Sequence, residues 1–477
     1  MVETALIIAA GKGTRLKSVS GDLPKPLLRV AGVPLIKRVI LTAHRAGIAR
    51  FVVVTGYAAD QFHATLDGDP QVAGLIEWVH NAQWEAPNGL SVLAARDHLP
   101  GSFLLSMADH LFDMQNLRLL QYAPRENDEC VLCIDRKVET VYDLDDATKV
   151  QVNGSHLLDI GKDLASYNAI DTGLFLCSPA LFEALDQTCG QGHAALSDGV
   201  RVLARQGRMR VCDIGDGFWQ DIDTPAMLDH AERLLLQAVR KPTDGVIARH
   251  LNRPISTRVS RWMVRTSISP NQITMGTFLI GLLAAPFVSA GTYWSVFWAA
   301  LCLQVSSILD GCDGEVAKLT FRESKYGAWL DTVTDNLTHL VFFIGVILGY
   351  SRQANDPRIL LLGGGSMAII LLALVMMYYY LLKTGGSGSL LRYNTAFERH
   401  AVRQKRGMIT RCLNGLRFMI KRDFFSMVFL SCAVLGRLDW MFWIIALGGL
   451  TMAVGVFASI GHLLHQARAA QQGKASA

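Results

Sequence analysis

A length of 477 residues argues against a single domain, and the 51% hydrophobic share is too unevenly spread for a wholly soluble chain. The formal charge is only +5, and nucleic acid is not an expected partner. Near residue 240 the composition changes. Before it, charged and apolar residues mix as in a soluble α/β protein. Beyond it, apolar runs of roughly 17–24 residues recur, long enough for a hydrocarbon core of ~30 Å. The expected architecture is an α/β, Rossmann-like domain over 1–240 and a linker with a juxtamembrane amphipathic helix over 241–274. An all-α six-helix transmembrane domain follows over 275–466.

In chain order, the first apolar run, "ALIIAA", is short and runs straight into "GKGTR", so it does not resemble a signal peptide, and the first domain is expected to be cytoplasmic. It predicts a strand over Ala5–Ala10, followed by a glycine-rich turn and a basic cluster. Gly11 and Gly13 would let the backbone approach a phosphate, and Lys12, Arg15 and Lys25 would neutralise a triphosphate. "FVVVTGY" predicts a second buried strand. "GSFLLSMADHLF" predicts a strand ending at Asp109, on the side where ligands bind in such sheets. The CxxC of Cys130 and Cys133 has no second pair at zinc-like spacing, which favours a reduced strand pair over a metal site. Lys162 in "IGKDLASYNAIDTGLF" is a candidate for an acceptor phosphate, with Asp171 in the Asp-Thr-Gly that follows.

The spacing from the glycine turn into Pro24-Lys25-Pro26-Leu27 resembles the signature of nucleotidyltransferases that make nucleotide-diphosphate sugars and alcohols. The resemblance implies that Lys25 and Arg15 serve the reaction at the α-phosphorus. It also implies a Mg²⁺ held between Asp109 and Asp221 of "GFWQDIDTP", with Asp223 close behind. "NAQWEAPNGLSVLAA" resembles the base-recognition segment, offering Asn88, Gly89 and Ser91. The metal's task would be to bridge phosphate oxygens while a substrate phosphate attacks.

The joining segment "KPTDGVIARHLNRPISTRVSRWMVRTSISPNQIT" is basic and partly amphipathic, suited to a membrane surface. Ser269-Pro270-Asn271-Gln272 reads as a helix start with a capping box. Candidate spans are Met275–Ala290, Tyr293–Leu309, Leu337–Tyr350 with the preceding turn, Ile359–Leu382, the short Phe424–Leu435, and Trp440–Leu464. Ten Lys or Arg residues crowd 383–422, against only Arg352, Arg358 and Arg437 in the opposite loops. The asymmetry predicts a multi-pass protein of the cell (inner) membrane with both termini cytoplasmic.

Four aspartates stand among these spans. A carboxylate at bilayer centre costs about 2.5–3.5 kcal/mol on insertion scales. Asp310 and Asp313 are three apart and Asp331 and Asp335 four apart, so each pair shares a helix face. Two such helices would present the four to a shared hard cation, Mg²⁺, Mn²⁺ or Ca²⁺. Gly311, Gly314 and Gly327 would leave room for a ligand. The pattern D-x-x-D-G-x-x-A-K-x8-G-x-x-x-D-x-x-x-D resembles the CDP-alcohol phosphotransferase signature, except that Lys318 replaces the usual Arg. That resemblance implies Asp310, Asp313 and Asp331 as metal ligands, with Asp335 as the last ligand or the base on the acceptor hydroxyl.

Taken with the domain order, "SSILDGCDGE", "NRPISTR" and the basic "IKRD", the chain resembles the bifunctional inositol-1-phosphate cytidylyltransferase/di-myo-inositol phosphate phosphate synthase family. The implied chemistry is CTP plus inositol 1-phosphate giving CDP-inositol. Phosphoinositol transfer to a second inositol 1-phosphate would follow, with Mg²⁺ (or Mn²⁺) in both sites and a homodimer through the membrane domain. Lys383, Lys421 and Arg422 are candidates for the acceptor's phosphate. Three other readings stay open. In the first, the acceptor is a diacylglycerol-like lipid. In the second, the alcohol is choline or another small phosphorylated alcohol, choline being caged by Trp78, Trp84 or Trp219. In the third, the membrane half is only an anchor or transporter.

Overall fold

The structure, a computed structural model, describes residues 2–16, 21–190, 192–239, 244–383, 422–451, 453–454 and 456–457. The chain divides into two compact units, Met1–Gln237 and Ala238–Ala477.

The first unit is built on a mixed sheet of nine strands among the described residues. Across the sheet these are Ile76–His80, Arg50–Thr55, Thr4–Ile8, Phe103–Met107, Ala169–Cys177, Cys130–Asp135, Met209–Asp213, His156–Gly161 and Lys149–Asn153. The first four run parallel, with Leu6 opposite both Val52 and Leu105. Their near-continuous Val, Ile, Leu and Phe runs suit strands covered on both faces, and Val52, Val54, Leu105 and Phe103 join Leu6 in one core. Ala169–Cys177 then pairs antiparallel with both neighbours. Its register shifts between Asp171 and Phe175, at Gly173. Gly173 has φ +73°, and a Cβ there would meet the His110 ring at 2.7 Å. Glycine is required at that position on both counts. Cys130 and Cys133 are free, buried and within one strand, as expected.

A short two-stranded ribbon closes the site. His110–Phe112 pairs with Trp219–Asp221, placing Asp221 opposite His110. The helix Pro225–Ala238 then folds back, and its Ala231 joins Leu16, Val30, Leu35, Leu111 and Ile222 in a second core.

In the second unit, the helices Pro270–Ser289, Tyr293–Leu319, Lys325–Ala354 and Arg358–Lys383 are long and apolar enough to span a membrane. Arg253–Met263 precedes them. Two shorter apolar helices, Asp423–Val434 and Leu438–Thr451, follow. The fifth expected span, Phe424–Leu435, falls on the first of these, whose twelve described residues rise about 18 Å. The capping box forms as expected: Gln272 N–H donates to Ser269 Oγ at 3.3 Å, and Ser269 N–H donates to Gln272 Oε1 at 2.8 Å. The aspartate helices run further than the apolar pattern indicated. Tyr293–Leu319 carries Asp310 and Asp313, and Lys325–Ala354 carries Asp331 and Asp335, inside continuous helix. Gly345 and Gly349 let Lys325–Ala354 approach the backbone of Pro270–Ser289: a Cβ at Gly349 would stand 2.1 Å from the Val288 carbonyl oxygen.

Candidate active sites

The ribbon register explains how residues far apart in sequence meet in the first unit. Asp109 lies two residues past the end of the parallel strand Phe103–Met107, which stops short of the expected Asp109, and the ribbon delivers Asp221 and Asp223 beside it. Lys25, on the short 3₁₀ turn Lys25–Leu27, is 5% exposed and points into this cluster. Its Nζ donates to Asp109 Oδ2 at 2.6 Å, Asp221 Oδ1 at 3.2 Å and Asp223 Oδ1 at 2.5 Å. Gly13 (φ +58°) makes room for the lysine: a Cβ there would lie 2.7 Å from Lys25 Cβ. Arg15 bridges Asp223, at 3.0 Å, and Asp146; Lys162 reaches Asp146 from the other side at 2.6 Å.

The electrostatics follow from this crowding. Burial opposes the charge on Lys25, but Asp109, Asp221 and Asp223 outweigh it and hold its pKa above the ordinary lysine value. Burial also opposes the Asp109 carboxylate, yet Lys25 and His110 hold it well below the usual range. Burial lifts Asp221, and neighbouring Asp109 adds to the effect. His110 Nδ1 donates to Asp109 Oδ1 at 2.9 Å; despite burial, Asp221 and Asp109 raise its pKa to about 9. Asp146 sits at about 2, because its bonds to Arg15 and Lys162 outweigh its desolvation.

Asp109, Asp221, Arg15, Asn88, Lys162 and Trp219 all line one cavity of about 430 Å³. Other expected residues are placed less simply. A Cβ on Gly11 would meet open space, and Lys12 lies 5.2 Å from the Tyr57 ring centroid. Asn88 Oδ1 accepts from Leu196 N–H at 2.9 Å, and Gly89 packs so closely that a Cβ would sit 2.4 Å from the Ala194 carbonyl. Ser91 is buried and accepts from Asn81 Nδ2 at 3.0 Å, turned into the fold. The three tryptophans have separate surroundings: Trp78 bonds Asp67, Trp84 packs on Tyr57, and Trp219 bonds Asp135 and stacks on His110. His110 and Asp146 were not singled out in the sequence. The only signal for His110 was its adjacency to Asp109; Asp146 lies in the acidic "DLDDATK", where nothing marks one carboxylate over another.

In the second unit, Asp310, Asp331 and Asp335 offer carboxylate oxygens within 4.8 Å of one another. Asp313 is not in that trio; it is buried, and its Oδ2 accepts from Thr274 Oγ1 at 2.5 Å. A Cβ on Gly314 would meet open space. One on Gly311 would meet Arg253 Nη1, and one on Gly327 would meet Asn271 Oδ1, both at 3.1 Å. Lys318 Nζ lies 3.5 Å from the Val239 carbonyl. Lys421 lies outside the described residues, as do the side chains of Lys383 and Arg422. Behind the trio, Glu315 accepts from Ser256 Oγ at 2.8 Å, Ser260 Oγ at 2.6 Å and Arg253 Nη1 at 2.5 Å, while Arg253 also holds Asp244. This network joins the helix Arg253–Met263 to the helix of Asp310.

Both clusters fit a divalent ion by their donors. Asp109, His110 and Asp221 bring ligand atoms within 4.8 Å of one another, and the membrane trio is all hard oxygen. Residues 5–208 match the MobA-like NTP transferase domain family, and residues 267–461 match the CDP-alcohol phosphatidyltransferase family. The chain is thus a nucleotidyltransferase domain fused to a helical CDP-alcohol phosphotransferase domain, both transferases. It is 34% identical to "Bifunctional IPC transferase and DIPP synthase" of Aquifex aeolicus over 72% of this chain and 76% of that one. It is 35% identical to the protein of the same name from Archaeoglobus fulgidus, over 73% and 67%. The solved inositol-1-phosphate CTP transferase of T. maritima is 27% identical, with a TM-score of 0.45, over 49% of this chain and 94% of that one. The chain belongs to the family of bifunctional IPC transferases and DIPP synthases.

Proposed function

We propose that the chain catalyses two consecutive reactions. CTP and inositol 1-phosphate give CDP-inositol and pyrophosphate in the first unit. In the second, CDP-inositol passes its phosphoinositol group to another inositol 1-phosphate, giving a di-inositol phosphate phosphate and CMP. The observation that carries this reading is the pair of carboxylate clusters, each complete within its own unit, on a chain of this family.

In the first site, Lys25 and Arg15 hold the triphosphate, Asp109 and Asp221 would hold a metal with Asp223 beside them, and Lys162 meets the phosphate of the incoming alcohol. Bound Mg²⁺ or Mn²⁺ would supply Lewis-acid charge stabilisation in either site. The cavity wall favours a polyol over choline. Asp143, Asp146, Thr148, Asp171, Ser197 and Gln220 supply hydrogen-bonding groups, and of the three tryptophans only Trp219 reaches it. In the second site, Asp310, Asp331 and Asp335 would hold the metal. Asp313, fixed by Thr274, completes the set, and Asp335 takes the acceptor's proton as its oxygen attacks phosphorus and CMP departs. Open space over Gly314 suits a ligand there, with Lys318 as a phosphate cation nearby. Six spans, an inner-membrane location and cytoplasmic termini follow from the basic 383–422 segment. The exposed apolar side of Arg358–Lys383, where Leu361 is 80% exposed, suits lipid or a second copy of the chain.

The test uses full-length protein in detergent with CTP, Mg²⁺ and inositol 1-phosphate, with and without diacylglycerol, followed by ³¹P NMR. A new phosphodiester without lipid supports the reading. CDP-inositol that accumulates until lipid is added replaces the acceptor with a lipid. No CDP-inositol from protein that turns over another phospho-alcohol overturns the inositol assignment.

A further inference from the structure

Lys25 occupies the space that the first site's metal needs. Its ammonium lies within 2.6 Å of Asp109 and 3.2 Å of Asp221, two of the three groups whose ligand atoms converge within 4.8 Å. A Mg²⁺ ion binds oxygens at about 2.1 Å and demands near-octahedral geometry. It cannot share those oxygens with an ammonium seated between them. The other expected phosphate cations are paired too, Arg15 with Asp146 and Asp223, and Lys162 with Asp146. The ligand-free site is thus neutralised from within. Lys25 also has somewhere to go, since its stem packs under the glycine-rich turn at Gly13, where a triphosphate is expected.

We propose that Lys25 is the resident counter-ion of the Asp109, Asp221 and Asp223 cluster, and that metal and triphosphate bind as a pair because each takes the other's internal competitor. The metal displaces the ammonium from the carboxylates, and the triphosphate receives it. Metal alone leaves Lys25 with Asp223 in place of three carboxylates. Triphosphate alone leaves Asp109 with His110 and Asp223 with Arg15, and takes the shared ammonium from the cluster. Together each ligand supplies the charge that the other displaces, which is positive coupling between two ligands. This inference rests on the reading of Asp109 and Asp221 as metal ligands.

The consequence is unusual for a residue expected to serve catalysis: its removal tightens metal binding. Full-length protein carrying Asp331→Asn, to silence the membrane cluster, is titrated with Mn²⁺ by calorimetry and by electron paramagnetic resonance of the free ion. Lys25→Met in that background binds Mn²⁺ alone about tenfold or more tighter than its parent. CTP, after correction for the Mn²⁺–CTP complex, tightens Mn²⁺ binding to the parent by a similar factor and to the variant by little. The variant's melting temperature without metal is lower, and its rise on adding Mn²⁺ is larger. Lys25→Gln, which keeps the stem and a hydrogen-bond donor, is measured by the same criterion and decides the matter if Lys25→Met does not fold. Unchanged or weaker Mn²⁺ binding in the folded variant overturns the exchange. Asp221→Asn separates the two ideas: if it leaves Mn²⁺ binding intact, the metal-site reading itself falls, and the exchange with it.

Discussion

Asp171 lines the first cavity with its Oδ1 accepting from Gly173 N–H at 2.8 Å. Burial raises its pKa from 3.8 to about 6, against the pull of that bond and of His110. The sign is the reverse of an ion-paired carboxylate. Between about pH 4 and pH 6 the folded state holds a proton that the unfolded chain has lost, so stability falls as pH rises through that window. Asp171→Asn is therefore expected to raise the melting temperature relative to wild type at pH 8, with the gain shrinking toward pH 4.5. An equal gain at both pH values would rule out a buried titrating carboxyl. In the membrane site, Asp331→Asn or Asp335→Asn should cut CMP release at least about a hundredfold while CDP-inositol accumulates. Most of these side chains were legible because chemistry fixes their type and spacing: Lys25, Asp109, Asp221 and Asp223, singled out from separate motifs, lie together. Ser91 was legible only as a polar residue in a turn-like stretch. It lies on the inward face of the helix Gly89–Ala94, and a sequence does not show which face a single serine takes.

Elements were legible where a local rule sets them. The Ser269–Gln272 capping box fixed one helix start to the residue. Span ends were less legible because hydropathy stops at the first aspartate, whereas the helix continues once its carboxylates face inward and meet partners. Glu315 shows the same principle. It is 2% exposed, and its partners Arg253, Ser256 and Ser260 come from a helix more than fifty residues away, so no window around it signals its role. Glu315→Ala leaves the half-buried Arg253 with only Asp244, and a loss of about 3–5 kcal/mol is expected from breaking a buried pair. Thermal melts of the purified protein should show it, and a neutral effect would mean water replaces the carboxylate. The Gly345–Gly349 contact makes a second expectation. Gly349→Leu adds a Cβ that would stand 2.1 Å from the Val288 carbonyl oxygen, so the two helices must part, at a cost of at least about 1–3 kcal/mol by the same measurement.

At the scale of the molecule, each unit holds its own carboxylate cluster. Two full-length variants with opposite defects, Asp109→Asn and Asp331→Asn, should each fail to make phosphodiester from CTP and inositol 1-phosphate. Mixed, they should make it again after a lag in which free CDP-inositol builds up in the ³¹P spectrum. A mixture as inactive as its parts would mean the intermediate never leaves the chain that made it. The division into two units was plain from composition alone, because a bilayer demands long apolar helices and a soluble sheet does not. The ribbon that joins His110 to Asp221 was not, because three-residue strands carry too little pattern. That ribbon has a consequence for how the protein is made. The nine strands of the sheet are complete once residue 213 has been synthesised, yet Asp221, Asp223 and the helix Pro225–Ala238 that backs them come afterwards. The first membrane helix begins at Pro270, a short stretch later. In chain order, the sheet is thus complete before the residues that finish its carboxylate cluster, and these in turn precede the first apolar helix by fewer than fifty residues.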